Sequence, residues 1–129
     1  MTKFFALFAA FNGLVAVILG AFGAHGLKGK IPEVLLSAYQ TGVQYHFYHI
    51  LALLFIVALA VLKPVSRWSQ LSGCFFIAGI ILFSGSLYAI ALGAPRWIGP
   101  VTPLGGLSFM LGWVMLFIHL IKTDLTFID

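Results

Sequence analysis

Histidine is the side chain in this sequence with the widest chemical reach. His46 and His49 stand three residues apart in a long apolar segment, and His25 closes the apolar run before it. Residues three apart share one side of a helix, and neutral imidazole ligates zinc, copper, iron or haem iron. A metal or haem site on His25, His46 and His49 is therefore one chemical reading. No carboxylate accompanies the set, because Glu33 lies more than three helical turns before His46. A second reading has the imidazoles hydrogen-bonded to backbone or to Tyr45, Tyr48 and Tyr88. A third gives them an organic ligand or a proton-linked role.

Two further groups carry polar chemistry. Ser84 and Ser86 flank a glycine inside an apolar run. No acid accompanies them to complete a nucleophilic triad, and helix-to-helix hydrogen bonding accounts for them. Thr102-Pro103-Leu104-Gly105-Gly106 reads as a helix start, with Thr102 as cap and Pro103 at the first helical position. Free N–H groups there can hold an anion, with Arg96 close in sequence. The competing reading is ordinary capping, with Gly105 and Gly106 letting helices approach.

These side chains must be positioned by elements suited to an apolar solvent. The chain has 129 residues, 62% hydrophobic and 8% charged, where a soluble domain is about 45–50% apolar and about 25% charged. A helix needs about 20 residues to cross a bilayer core of about 30 Å. Four such spans and their loops fill the sequence as a single domain, at about residues 4–24, 46–62, 70–92 and 102–121. The first begins after Lys3; its apolar run of about twenty residues exceeds that of a signal peptide and reads as a retained helix. Nothing between Glu33 and Leu62 stops a helix, so the second span should be extended by an amphipathic N-terminal half, about 45 Å in all. The segment from Gly93 to Pro100 reads as a turn, and the tail after Lys122 as short and polar.

The net charge of +4 comes from cations placed singly between apolar runs. They suit topology and headgroup contact rather than nucleic acid. Lys3, Lys63, Arg67 and Lys122 fall on the side of the termini, against Lys28, Lys30 and Arg96 on the other, which tips the termini toward the cytoplasm. The lone Cys74 excludes an intrachain disulfide. Trp68 and Trp97 suit interfacial belts.

Alternating topology gathers the polar segments at the membrane end away from the termini, here the distal end. Four stretches meet there: the close of the first span with His25, the region from Gln40 to His49, the segment from Ser84 to Tyr88, and the start of the fourth span. On the second helix Glu33, Ser37, Gln40, Thr41, Gln44 and Tyr48 form one stripe, while Leu35, Gly42, His46, His49 and Leu53 fall on the other side. If the stripe meets water and headgroups, both histidines point inward, where His25 could join them. Small-residue stripes for close packing run through Ala9, Gly13, Ala16, Gly20 and Ala24, through Ser72, Gly79, Ser86 and Gly93, and through Gly105, Ser108 and Gly112.

Four segments, GAFGAHGL, YQTGVQYHFYHILALL, FSGSLYAIAL and VTPLGGLSFMLGW, resemble those of domain of unknown function 423, whose members are small bacterial inner-membrane proteins similar to animal transmembrane protein 256. The resemblance runs from about Phe4 to Lys122 and leaves out the tail. It implies four helices and an inner-membrane location, and brings no activity, substrate, cofactor or catalytic residue.

The sequence thus favours a non-enzymatic membrane protein. It would bind a lipid-soluble ligand, a membrane partner or a second copy of itself at the distal end, through residues drawn from His25, Gln44, His46, His49, Ser84, Ser86, Tyr88, Arg96, Thr102, Gly105 and Gly106. No cofactor is called for. The alternatives are a small-solute transporter or channel working as an oligomer, and a histidine-ligated metal or haem protein.

Overall fold

Four long apolar helical runs alternate across the computed structural model, which describes residues 1–124. They cover Thr2–Leu27, Glu33–Leu62, Arg67–Ala91 and Arg96–Lys122, each long and apolar enough to cross a membrane. The polar tail lies outside the described residues from position 125 onward.

The first span is helix α1 (Thr2–Phe22) closed by one π-helical turn at Gly23–Leu27. Helix α2 runs unbroken over Glu33–Leu62, as the absence of breakers requires, and Pro32 stands at its N-cap with its carbonyl accepting from Leu36. The third span is less regular than its apolar run implies. Helix α3 (Arg67–Gly79) gives way to a π-helical turn at Ile80–Ser84, and helix α4 (Gly85–Ala91) completes the crossing. A π turn admits one extra residue per turn and rotates everything after it. Serines carry α3's start: Ser66 accepts from the Ser69 N–H, and the Ser69 hydroxyl receives the Ser66 N–H.

The fourth span begins with a 3-10 turn at Arg96–Ile98 and continues as helix α5 (Val101–Lys122). This corrects the expected start, because Pro100 is the N-cap and Thr102 already lies in the first turn. The Thr102 hydroxyl, freed from capping, donates to the Ser86 hydroxyl, whose own proton goes to the Phe83 carbonyl.

Without water to drive apolar association, helices in lipid meet where small residues allow backbones close. The third and fourth spans follow this rule along their length. A Cβ at Gly105 would stand 2.3 Å from the Phe83 backbone nitrogen, one at Gly79 2.2 Å from the Phe109 ring, and one at Gly112 2.6 Å from the Phe76 ring. Reciprocal bonds close the seam: Ser72 donates to the Gly112 carbonyl and Ser108 to the Phe75 carbonyl, both at 2.7 Å. At the proximal end, beside the termini, the Ser66 hydroxyl reaches His119 Nδ1 at 2.8 Å, and Lys122 lies over the Trp68 ring.

The first span packs on α2, and α2 on the third span. A core from all four spans fills the proximal half, with Phe5, Ala9, Leu53, Ile56, Phe76, Phe109 and Leu116 buried. Not every small residue of the expected stripes packs: Ala9 and Ala16 are fully buried, whereas Gly13 has open space and Gly93 sits exposed in the turn with φ +102°.

Candidate functional site: the surroundings of the second helix

Helix α2 carries the polar interior. Its stripe of Glu33, Ser37, Gln40, Gln44 and Tyr48 is exposed, while Gly42, His46, His49 and Leu53 are buried. The two histidines look to different neighbours. His46 lies between the first and third spans: its Nε2 is 3.0 Å from Asn12 Oδ1, and its Nδ1 is 3.0 Å from the Tyr88 hydroxyl. Because Asn12 spends its amide N–H on the Phe8 carbonyl, its oxygen must accept. The proton therefore sits on Nε2, and in the neutral ring Tyr88 donates to Nδ1.

His49 faces the fourth span instead. Its Nδ1 lies 2.7 Å from the Tyr45 carbonyl, which can only accept, and its Nε2 receives the Trp113 indole N–H at 3.1 Å. The proton thus sits on Nδ1, so neighbours three residues apart hold opposite tautomers. The ring of His49 stacks on Phe109 at 3.5 Å between centroids and 8° between planes. Both imidazoles spend both nitrogens on protein, His46 on Asn12 and Tyr88 and His49 on the Tyr45 carbonyl and Trp113.

Around His46 the packing is close. Tyr39, fully buried, donates to the Leu19 carbonyl at 2.6 Å, and its ring fits over Gly23, where a Cβ would stand 2.5 Å away. The π turn of the third span places Ser84, also fully buried, to donate to the Gly42 carbonyl at 2.8 Å. Tyr88 and Leu87 press on Gly42 from the same side.

Around His49 the packing is open. A groove of about 500 Å³ runs between α2 and α5, lined by Tyr45, Tyr48, His49, Gly106, Phe109 and Trp113 among others. That volume falls within the range of about 300–1,000 Å³ usual for ligand sites. The groove's lining is almost wholly apolar, and Tyr45 and Tyr48 border it with hydroxyls that have no partner among the described residues. A second hollow of about 290 Å³ lies between α1 and α2, beside Gln40 and Gln44.

The remaining candidates separate. His25 lies exposed in the π turn closing the first span and does not meet His46 or His49. The three imidazoles do not converge, and among the described residues no three of His, Cys, Asp and Glu form a metal-binding group. The cause is helical phase: His25 is two residues from the buried Gly23 and nine from the buried Ala16, about half a turn from the face that packs on α2. Arg96 is exposed on the 3-10 turn, and Gly105 is filled against by Phe83, so the start of α5 serves helix packing. Gly106 borders the groove and Gln44 the second hollow.

Sequence reasoning missed Asn12, Tyr39 and Trp113. Asn12 gave a signal, being a lone amide in the middle of an apolar span, where polar side chains face protein. Tyr39 and Trp113 gave none, since an aromatic ring reads equally well as lipid contact.

Four crossing helices, a hydrogen-bonded interior and no carboxylate in either cluster define a small multi-pass membrane protein. The chain belongs to the family described as "Protein of unknown function (DUF423)", whose model matches residues 19–106. It is 47% identical to the UPF0382 membrane protein YwdK of Bacillus subtilis over 121 residues, 93% of this chain and 98% of the relative. It is 41% identical to the UPF0382 inner membrane protein YgdD of Escherichia coli K12, covering 94% of this chain and 92% of that protein. A Staphylococcus aureus membrane protein, SAB0533, is 43% identical over 93% of this chain and 97% of its own. No solved structure matches. The protein is thus a multi-pass protein of the bacterial inner membrane, in a family whose activity is open.

Proposed function

We propose that this protein binds a lipid-soluble amphiphile in the groove between α2 and α5 and performs no chemistry on it. The observation that carries the reading is the groove itself: about 500 Å³, walled by aromatic rings in an almost wholly apolar lining, and bordered by Tyr45 and Tyr48, whose hydroxyls have no partner among the described residues. The helix from Tyr45 to Leu62 is about 25 Å long at 1.5 Å per residue, so the tyrosines lie near the distal edge of a core of about 30 Å. An acyl or isoprenoid chain would lie along Leu51, Met110 and Trp113, and a head with hydrogen-bond acceptors would meet Tyr45 and Tyr48. His49 supports the wall and has no nitrogen to spare. The termini fit the cytoplasmic side by the bias of Lys and Arg.

The test is extraction and identification of lipids carried by the protein purified from its membrane in mild detergent. Gly106→Phe fills the groove, and Leu14→Phe changes an exposed position on α1 instead. A near-stoichiometric amphiphile should accompany the native protein and Leu14→Phe, and fall at least fivefold in Gly106→Phe. Identical lipid complements in all three would remove the reading.

A further inference from the structure

The flank of α2 beside α1 changes its chemistry step by step toward the distal end. Gln44 lies about 27 Å from Leu62 at 1.5 Å per residue, at the distal edge of a core of about 30 Å, and Gln40 lies one turn farther out. Both are exposed, and both line the hollow of about 290 Å³ that Gly20, Gly23 and Ala24 leave open on the first span. Their amides have no partner among the described residues. Ser37 and Glu33, also exposed, continue the same face outward. Lys28 and Lys30 stand beside it, because Leu27 packs in one cluster with Leu36 and Tyr39 and holds the turn against the start of α2. Both lysines are exposed, and neither they nor Glu33 form an ion pair among the described residues.

Going outward, this flank offers amide donors, then a hydroxyl and two ammonium groups, then a carboxylate. A glycerophospholipid presents the complement in the same order: ester carbonyls at the core edge, a phosphate beyond them, and the terminal group of the head outermost. Carboxamide N–H groups suit ester carbonyls, which only accept. The lysines suit the phosphate, by the attraction that draws basic residues to lipid heads. Water satisfies two amides equally well, but it calls neither for a recess nor for cations and an acid in this sequence. The outermost group is the one that discriminates. Glu33 is the single acid at this end of the chain, since Asp124 and Asp129 follow the last span. Its carboxylate attracts an ammonium and repels further negative charge. A head ending in a primary amine therefore fits this flank better than one ending in glycerol.

We propose that the hollow between α1 and α2 binds the head of a phosphatidylethanolamine from the distal leaflet, with its ester carbonyls at Gln40 and Gln44, its phosphate at Lys28 and Lys30, and its ammonium at Glu33. The site shares no lining residue with the α2–α5 groove, so it stands whether or not that groove holds an amphiphile.

The experiment is native mass spectrometry of the full-length protein, stripped of lipid in detergent and offered phosphatidylethanolamine and phosphatidylglycerol with the same acyl chains. The native protein should hold the ethanolamine lipid at least fivefold better, and excess inorganic phosphate should not displace it. Lys28→Ala combined with Lys30→Ala should cut its retention at least fivefold, and so should Ala24→Phe, which fills the hollow from an exposed position. Glu33→Gln should bring the two lipids level. Leu14→Phe, exposed on α1 away from the hollow, should match the native protein. Glu33 also favours the start of α2 through the helix dipole, so thermal unfolding checks that each variant folds. Where one does not, the preference of the native protein and the phosphate competition decide. Equal binding of the two lipids by the native protein, or displacement by inorganic phosphate, would overturn the proposal. So would retention unchanged in folded Ala24→Phe or the double lysine variant, or a preference unchanged in folded Glu33→Gln.

Discussion

Between the third and fourth spans the contacts are glycines against aromatic rings and serines against carbonyls; around α2 they are imidazoles, tyrosines, an amide and an indole. The first region leaves little space. Gly79, Gly105 and Gly112 bring the helices so near that a single carbon would collide at each. The second leaves hollows: those of about 500, 290 and 270 Å³ all have α2 as one wall. Small residues make a seam by subtraction, so the backbones themselves touch and the geometry is fixed. Long polar side chains make an interface by reaching, which holds the helices apart and leaves room beside them. The seam is the part built for stability, and α2 the part with surfaces to spare for binding.

The largest effects should follow from thickening the seam. Gly105→Ala places a methyl group 2.3 Å from a backbone nitrogen and 2.7 Å from a Cα, neither of which can swing aside as a side chain does. Overpacking of this kind costs about 1–3 kcal/mol and at times more. We expect a loss of about 3 kcal/mol, or failure to accumulate in the membrane. Gly13→Ala has open space around its new carbon and is expected to change stability by less than about 1 kcal/mol, with helix propensity in its favour. Unfolding in mixed micelles measures both. Equal losses would mean that the seam is no tighter than the rest of the bundle.

Removing polar partners from α2 should cost less and show coupling. Asn12→Ala leaves the His46 Nε2–H without its acceptor, and a buried unsatisfied donor costs about 1–3 kcal/mol. His46→Phe removes the ring's polarity and strands Asn12 and the Tyr88 hydroxyl. The double variant should lose less than the two singles together. A coupling near the average of about 0.6 kcal/mol for hydrogen bonds in membranes is expected. Strict additivity in a double-mutant cycle would break the view that Asn12 and His46 act as one unit across the first two spans.

Much of this architecture was legible because lipid imposes simple rules. The length of α2 followed from the absence of any breaker between Glu33 and Leu62. The exposed Gln40 and Gln44 and the buried His46 and His49 followed from helical phase alone. What phase cannot give is register between helices. Asn12 meets His46 only because the first span, kept close by Gly20 and Gly23 against Val43 and Tyr39, sits at one height beside α2. Nor does phase foresee winding. The π turn at Ile80–Ser84 lies in a run of apolar residues closed by a serine, so nothing in the pattern changes where the helix does. Ser84 meets α2 while Ser86, two residues on, faces α5, as residues about 200° apart on a helix do. Thr102 misled for a related reason, since a hydroxyl near a helix start can cap its own helix or bond to the next one.

The smallest effect should come from Trp113→Phe, and it bears most directly on the groove. The substitution keeps a ring in the wall and removes one bond, from the indole N–H to His49 Nε2. The other ring nitrogen still donates to the Tyr45 carbonyl and the ring still stacks on Phe109, so His49 has two restraints left. A single neutral hydrogen bond contributes about 0.5–1.5 kcal/mol, and the loss here should fall at the lower end. Nitrogen NMR of the histidine ring supplies the sharper readout, since the proton should stay on Nδ1 while the Nε2 resonance moves as its donor is lost. A tautomer switch in this variant would mean that Trp113, rather than the Tyr45 carbonyl, fixes the imidazole. A collapse in stability would mean that the groove wall depends on the indole for its shape, and the contrast between a fixed seam and a merely supported α2 would narrow accordingly.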